Sequence, residues 1–198
     1  MQSDSFFSLR KSIRQKIRQL RKSLSPEQQL QFALQAAERV IVHPRILQAK
    51  KIALYLSFDG ELDTRPLIQQ LWQQNKQVYL PVLHPFSRNH LLFLHYQPDT
   101  PLVQNHFNIE EPRLDVRQVL PISELDIMFI PLVAFDHTGQ RLGMGGGFYD
   151  RTLAKWQQQN FYPIGLVHNF QFVNTLPSTS WDIPLPEIIT PEKIWHWS

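Results

Sequence analysis

Leu125-Asp-Ile-Met-Phe-Ile-Pro-Leu132 is the most apolar segment of this 198-residue chain. A short apolar run of this kind is typical of a strand that is buried on both faces, at the centre of a parallel sheet. Further strands are predicted at Lys51–Leu56, Val78–Leu83, Leu91–Tyr96 and Tyr162–Val167, with a short one at Ile188–Ile189. Because strands alternate with helical patterns, the sequence predicts an α/β fold, a three-layer α/β/α sandwich around a largely parallel sheet.

Helices are predicted from apolar spacing and from capping signals. One helix face is marked by apolar residues spaced four, three and four apart, at Ile13, Ile17, Leu20 and Leu24. Ser25-Pro-Glu-Gln28 combines an N-cap, a proline at the first helical position and a capping-box glutamine, which predicts a helix from Pro26 to about Val42. Thr64 is a candidate cap for a helix over Pro66–Gln74. A last helix is predicted from about Phe148 to Gln158.

Composition limits the class of protein. The chain is 42% hydrophobic and 19% charged, which is typical of a globular protein, and its length suits one domain over residues 1–198. Because cysteine is absent, disulfides, a thiol nucleophile and cysteine-containing zinc sites are excluded. The longest apolar run, Ile127–Phe135, is shorter than the roughly 20 residues that a membrane span needs, so a cytoplasmic location is expected.

Glycine is concentrated in one stretch. Five of the seven glycines lie between Gly139 and Gly147, after the most apolar strand and before a predicted helix. Glycines in such a place let backbone N–H groups approach a phosphate, and a helix N-terminus adds positive potential. Arg141 brings a cation to the same loop, and Asp150 is a candidate ligand for a magnesium ion that bridges phosphate oxygens.

Other interpretations of these features remain open on the residues alone. The glycines are also compatible with a tight turn that needs only positive φ angles. Their spacing matches neither the P-loop nor the dinucleotide-binding pattern. Seven Lys and Arg residues between Arg10 and Lys22, with no acid among them, are compatible with a solvated helix face or with a small RNA-binding protein. The aromatic residues, however, do not form an RNA-binding pattern.

A long signature resembles that of the 5-formyltetrahydrofolate cyclo-ligase family. It runs from Asp126 through Pro131 and Asp136 to Gly139-x-Arg-Leu-Gly-x-Gly-x-Gly-Phe-Tyr-Asp150. The resemblance continues in further segments that follow the family's order along the chain: Arg10–Arg14, Leu54–Glu61, Asn108–Pro112, Gly165–Phe170 and Trp181-Asp182.

The resemblance implies an ATP- and magnesium-dependent ligase of folate and one-carbon metabolism, with the α/β fold of glucosamine-phosphate and ribose-phosphate isomerases. Such an enzyme converts 5-formyltetrahydrofolate to 5,10-methenyltetrahydrofolate and releases ADP and phosphate. It acts through a phosphorylated formyl group, an iminium phosphate. The expected partners are 5-formyltetrahydrofolate and ATP, without nucleic acid or membrane, and the protein is expected to be a monomer.

The resemblance also implies roles for individual residues. ATP binding is implied for Arg10, Lys11, Arg14, Arg141, Leu142, Gly143, Met144, Gly145, Gly146, Gly147, Phe148 and Tyr149. Folate binding is implied for Leu56, Glu61, Met144, Gly145, Gly146, Gly147 and Phe148. Arg141 and Tyr149 are the implied catalytic residues, and Asp150 and Asp182 the implied magnesium ligands. Arg10 stands where the family usually has lysine, and Gly146 where some members have lysine, so another group must supply that contact.

The rest of the basic stretch receives no role from the resemblance. Lys16 through Lys22 are expected to form a solvated helix face. Trp181, Trp195 and Trp197 are expected to pack against the sheet.

Overall fold

The computed structural model describes residues 2–179 and 181–197. Its helices are α1 (Gln2–Lys22), α2 (Pro26–Ile41), α3 (Pro44–Gln48), α4 (Arg65–Gln73) and α5 (Phe148–Leu153). The predicted start of α2 is confirmed, because the Ser25 hydroxyl accepts a hydrogen bond from the Gln28 amide and the Gln28 side chain accepts one from the Ser25 amide. Within the described residues, each helix is too short or too polar to span a bilayer.

Eight strands form the central sheet. All strands, in chain order, are β1 (Lys51–Ala53), β2 (Gln77–Leu83), β3 (Leu91–Tyr96), β4 (Leu102–Gln104), β5 (Glu110–Pro112), β6 (Val119–Leu120), β7 (Ile127–Ile130), β8 (Ala134–Phe135), β9 (Arg141–Leu142), β10 (Tyr162–Leu166), β11 (Glu187–Ile189) and β12 (Ile194–His196). The spatial order of the sheet is β12-β11-β10-β7-β1-β2-β3-β6. The five strands from β11 to β2 are parallel, whereas β12, β3 and β6 each pair antiparallel with a neighbour, so the prediction of a largely parallel sheet is confirmed.

Strand β7 lies at the centre of the sheet and separates two core layers. Ile127 and Phe129 face the layer that contains the apolar side of α2 and α4. Met128 and Ile130 face the opposite layer, with Leu153 of α5. This alternation follows from the two-residue period of a strand, and it confirms the layered architecture.

Helix α1 packs beyond the carboxyl ends of the parallel strands. Its Ile17 is buried against Val133, Ala134 and Leu142 of the β8–β9 hairpin, and Ile13 packs at the edge of the same cluster. Leu20 is 38% exposed, so the predicted apolar face is correct for Ile13 and Ile17 but not for Leu20.

The first strand, β1, is shorter than the strand predicted over Lys51–Leu56. Pairing ends at Ala53, and the following residues remain buried as an irregular segment. The Tyr55 carbonyl accepts a hydrogen bond from the hydroxyl of Thr64. Thr64 stands at the N-cap of α4, but its side chain makes no cap hydrogen bond, because the buried hydroxyl is used on Tyr55 instead.

Several other predicted elements differ in their bounds. The predicted helix over residues 148–158 is α5 followed by a separate 3-10 helix, Trp156–Gln158. The segment from 84 to 121 contains three short strands in addition to β3. Trp195 and Trp197 pack against the core as expected, whereas Trp181 is 66% exposed, so the packing predicted for it is wrong.

Candidate active site

A cavity of about 980 Å³ lies at the carboxyl ends of the central parallel strands. Its walls come from α1, from the segment after β1, from β2, from the chain that follows β7 and from the region between β8 and α5. In open α/β sheets, ligands bind outside the carboxyl ends of the strands, where neighbouring connections diverge. The cavity is therefore the candidate active site, and it also contains most of the predicted site residues.

The glycine loop, Gly143–Gly147, forms one wall of the cavity. Gly145 and Gly147 have φ angles of 107° and 68°, in the left-handed region that favours glycine. The loop does not follow β7 directly, since the β8–β9 hairpin intervenes. Helix α5 has only six residues, so the contribution expected from a helix N-terminus is small, and the loop backbone and neighbouring arginines are the main donors.

Arg14 connects α1 to the glycine loop. Its Nε donates a hydrogen bond to the Gly143 carbonyl at 2.8 Å, and its guanidinium lies beside Gly145. Burial and the nearby charge of Arg10 lower the pKa of Arg14. Arg10 and Arg14 are four residues apart on α1 and lie on the same side of the helix, so both line the cavity.

Two arginine–aspartate pairs bring distant parts of the chain together. Arg10 binds Asp182 through both terminal nitrogens, at 2.6 and 3.0 Å. Arg141, which is 4% exposed, forms an ion pair with Asp150. Burial opposes ionisation of Asp182, but hydrogen bonds from Arg10 and Thr179 outweigh it and lower the pKa of this carboxyl. All four side chains line the cavity, and the two carboxylates are oxygen donors of the kind that Mg²⁺ prefers.

Another part of the cavity lining is apolar and contains a buried acid. Leu56 and Glu61 both line it, and both are nearly buried. Burial raises the pKa of Glu61 to about 7, although Arg21 opposes the shift. Tyr149 lies near Glu61 and Arg141, and its pKa is raised by burial and by the Glu61 charge, so its phenol stays protonated at neutral pH. The cavity lining therefore combines an arginine-rich part, called here the cationic end, with an apolar part around Glu61, called here the apolar end.

Two of the predicted ATP-binding residues are not at the cavity. Lys11 is exposed and lies outside the lining, because its position on α1 turns it away from the face that carries Arg10 and Arg14. Leu142 is buried in the cluster with Ile17, since alternate residues of β9 point to opposite sides. Its neighbour Arg141 is the residue that reaches the cavity.

Sequence reasoning missed two arginines. Arg21 was expected in a solvated helix face, but it is 1% exposed and lies behind Glu61, so that expectation is wrong. The spacing of Arg10, Arg14, Ile17 and Arg21 along one helix face was the available signal. Arg151 lines the cavity and donates a hydrogen bond to the Gly147 carbonyl at 3.1 Å.

Comparisons with known proteins agree with one another. The sequence model of the 5-formyltetrahydrofolate cyclo-ligase family matches residues 7–191. The 5-formyltetrahydrofolate cyclo-ligase of Escherichia coli (strain K12) is 58% identical over 181 residues, which cover 91% of this chain and 100% of that protein. The protein of the same name from Haemophilus influenzae is 56% identical over 180 residues, covering 91% of this chain and 96% of that protein.

A solved structure shares the fold. The NMR structure of 5,10-methenyltetrahydrofolate synthetase from Aquifex aeolicus superposes with a TM-score of 0.81 at 28% identity, covering 95% of this chain and 92% of that chain. The α/β architecture is therefore common to both proteins. Since the family match spans residues 7–191 and the bacterial relatives are covered over nearly their whole length, the chain belongs to the 5-formyltetrahydrofolate cyclo-ligase family.

Proposed function

We propose that the chain converts 5-formyltetrahydrofolate to 5,10-methenyltetrahydrofolate in a reaction that consumes ATP, requires Mg²⁺ and releases ADP and phosphate. The observation that carries this proposal is the two-ended cavity. Arg10, Arg14 and Arg141 surround the glycine loop at one end, and Glu61 lies in an apolar wall at the other. Such a cavity suits a polyphosphate and a pterin side by side.

The chemistry explains why a phosphoryl donor is needed. The formyl oxygen of an amide is a poor leaving group, so ring closure requires that this oxygen be activated. Attack of the formyl oxygen on the γ-phosphorus of ATP releases ADP and forms an iminium phosphate. N10 then adds to the formyl carbon, N10 loses its proton, and phosphate leaves with the former formyl oxygen. Placement and charge stabilisation are the protein's main contributions.

The cationic end binds the phosphates of ATP. Arg10, Arg14 and Arg141 supply the charges, and the backbone of Gly143–Gly147 supplies close N–H donors. A planar guanidinium binds phosphate oxygens in pairs, which favours arginine at such positions. Lys11 contributes only to the surrounding potential, because it lies outside the cavity lining.

Asp150 and Asp182 are the residues that would hold the magnesium ion. The donor set fits the metal, since Mg²⁺ takes one or two protein carboxylates and completes its coordination with waters and substrate phosphates. The bound ion offsets negative charge on the phosphate oxygens. Each acid is paired with an arginine of the cavity, Asp150 with Arg141 and Asp182 with Arg10. In the presence of MgATP, Asp150 and Asp182 would face the ion, and Arg141 and Arg10 would be available to the phosphates.

Arg151 supplies the cation that a side chain at position 146 would otherwise bring. A Cβ atom on Gly146 would lie 2.8 Å from the Phe148 ring, so the ring occupies the space that a lysine there would need. Arg151 lines the cavity on the same loop. Its hydrogen bond to the Gly147 carbonyl holds the guanidinium beside the backbone donors.

The apolar end binds the pterin and the ring that follows it. Glu61 accepts hydrogen bonds from the aminopyrimidine edge, and Leu56 contacts the ring. Phe148 meets Phe107 edge to face, with ring centroids 6.1 Å apart, which gives an aromatic wall between the two ends. Tyr149 lies near both Glu61 and Arg141, so its protonated phenol donates to the oxygen that changes charge in the reaction.

The test uses the purified protein with ATP, Mg²⁺ and 5-formyltetrahydrofolate. We expect the strong near-ultraviolet band of the methenyl product to appear together with one ADP per product. Arg141→Met serves as the matched control, because it removes a cavity charge while keeping a long apolar stem. If the folded wild-type protein gives neither the band nor ADP, the proposal is wrong.

A further inference from the structure

Arg21 is a buried cation at the last turn of α1. It is 1% exposed and does not line the cavity. Its Nη2 donates to the Leu132 carbonyl at 2.6 Å, whereas its Nε and Nη1 have no hydrogen-bond partner among the described residues. Burying a charged group whose hydrogen-bond donors have no partner costs free energy. A nearby anion therefore strongly stabilises the buried Arg21 guanidinium.

The nearest anion is Glu61, whose Oε1 is 3.8 Å from Nη1 of Arg21. The turn that carries Glu61 rests directly on α1. A Cβ atom on Gly60 would lie 2.9 Å from the Cβ atom of Arg21, so only glycine allows this approach, and its φ of 73° also favours glycine. Gln29 of α2 also holds the turn, because its side chain donates a hydrogen bond to the Gly60 carbonyl at 3.2 Å.

Other charged and titratable groups around Glu61 do not replace Arg21. Asp59, on the same turn, is neutralised by Arg18 and Lys22 near the surface. Tyr55 and Tyr149 stay protonated at neutral pH, since burial raises the pKa of both phenols. His168 stays neutral, because burial lowers its pKa to about 4. Arg21 is thus the cation that faces Glu61 from behind the cavity wall.

We propose that Arg21 is a positioning residue that keeps Glu61 ionised and directed into the cavity, so that Glu61 accepts hydrogen bonds from the folate. The proposal rests on the function proposed above for Glu61. It assigns Arg21 a role that acts entirely through Glu61, without contact to either substrate.

Burial and the charge of Arg21 act on the Glu61 carboxyl in opposite directions. Burial alone favours the neutral form of a carboxyl, which is a poor partner for the N–H donors of a pterin edge. Even beside Arg21, the pKa of Glu61 is about 7. An opposite charge at this distance lowers a carboxyl pKa by about 1–3 units, so loss of Arg21 leaves Glu61 largely protonated at neutral pH.

The experiment compares Arg21→Gln, which keeps a donor for the Leu132 carbonyl, with Arg21→Lys, which keeps the charge. Arg18→Gln is the matched control on the same helix. The Glu61 carboxyl is titrated by ¹³C NMR and identified by its loss in Glu61→Gln. The KM for the folate substrate is measured between pH 6 and 9 from initial rates of ADP release.

For Arg21→Gln we expect the Glu61 titration to move up by about one unit or more. The folate KM at pH 7 should then rise about fivefold and return toward the wild-type value near pH 9, while the KM for ATP stays constant. Arg21→Lys should give an intermediate profile, and Arg18→Gln the wild-type profile. In a Glu61→Gln background, replacing Arg21 should no longer affect folate KM.

The outcomes separate the two proposals. A Glu61 titration that is unchanged in Arg21→Gln overturns the inference, as does a folate defect that persists in the Glu61→Gln background. Should Arg21→Gln fail to fold, Arg21→Met replaces it, since it also removes the charge, and an unchanged Glu61 titration in that variant overturns the inference equally. If Glu61→Gln alone leaves folate KM unchanged, the role proposed for Glu61 is wrong, and the NMR titration still decides whether Arg21 controls its charge.

Discussion

Arg10 donates two hydrogen bonds to Asp182, at 2.6 and 3.0 Å, and joins the first helix to a segment 172 positions later. Arg141 is paired with Asp150 in the same cavity. Both proposed magnesium ligands are thus held by proposed phosphate-binding arginines. The two acids offset part of the positive charge at this end of the cavity before the substrates arrive, which limits the cost of burying the paired arginines.

Asp150→Asn tests the proposed magnesium ligands. The variant should still fold, because an asparagine keeps the shape of the side chain, but with lower stability, because the buried Arg141 loses its charged partner. Turnover should fall by about 100-fold, the loss usual for a polar group that acts on developing charge. ADP release is measured over a series of Mg²⁺ concentrations, with the exposed Asp99→Asn as control. Near wild-type turnover at saturating Mg²⁺ would show that Asp150 is not a ligand.

Arg14→Ala tests the role of α1. Loss of a charged hydrogen-bond donor to phosphate costs about 1.5–3 kcal/mol, so the KM for ATP should rise at least tenfold while that for folate stays nearly constant. Arg18→Ala is the control, since Arg18 pairs with Asp59 and lies outside the cavity lining. Under an RNA-binding function, both variants would instead weaken polyanion binding to a similar extent, with ATP kinetics unchanged. Titrations with ATP and with RNA at two salt concentrations distinguish these results.

Gly146→Ala tests the packing of the aromatic wall. The new methyl group would lie 2.8 Å from the Phe148 ring, so the ring must move. Such overpacking costs about 1–3 kcal/mol. We expect this cost to raise the KM for folate, with little change in the melting temperature. In Gly143→Ala, the methyl group would meet only the Arg141 guanidinium, at 3.8 Å. Equal effects of the two substitutions on folate KM would contradict this account.

His168→Gln tests the pH dependence of stability. The pKa of His168 is lowered by burial from 6.5 to about 4, so the unfolded chain binds more protons between these values. The contribution of His168 to the free energy of unfolding should therefore fall by about 3 kcal/mol as the pH drops from 6.5 to 4. Between pH 6.5 and 4, the free energy of unfolding of His168→Gln should therefore decrease by about 3 kcal/mol less than that of the wild type. His90 is exposed, so His90→Gln should show the same decrease as the wild type. Urea unfolding between pH 4 and 7.5 measures the slopes, and parallel slopes for the two variants would refute the assignment.

Sequence alone determined those features that depend on near neighbours in the chain. The capping box of Ser25 and Gln28 sets the start of α2, and the two-residue alternation through Ile127–Ile130 places a strand between two core layers. Four-residue spacing puts Arg10 and Arg14 on one side of α1. The glycine-rich signature identifies the loop and the family. These features follow from local backbone geometry, which a short stretch of sequence specifies.

Tertiary structure decided which polar groups meet. Arg21 resembles its exposed neighbours in sequence, yet it is buried because the Gly60 turn packs against it. The Thr64 hydroxyl donates a hydrogen bond to the Tyr55 carbonyl and does not cap α4. Partner choice of this kind depends on contacts between residues far apart in the chain and on the removal of water around them. A buried donor or charge must bind whatever acceptor the packing brings to it, and local spacing carries no information about that acceptor.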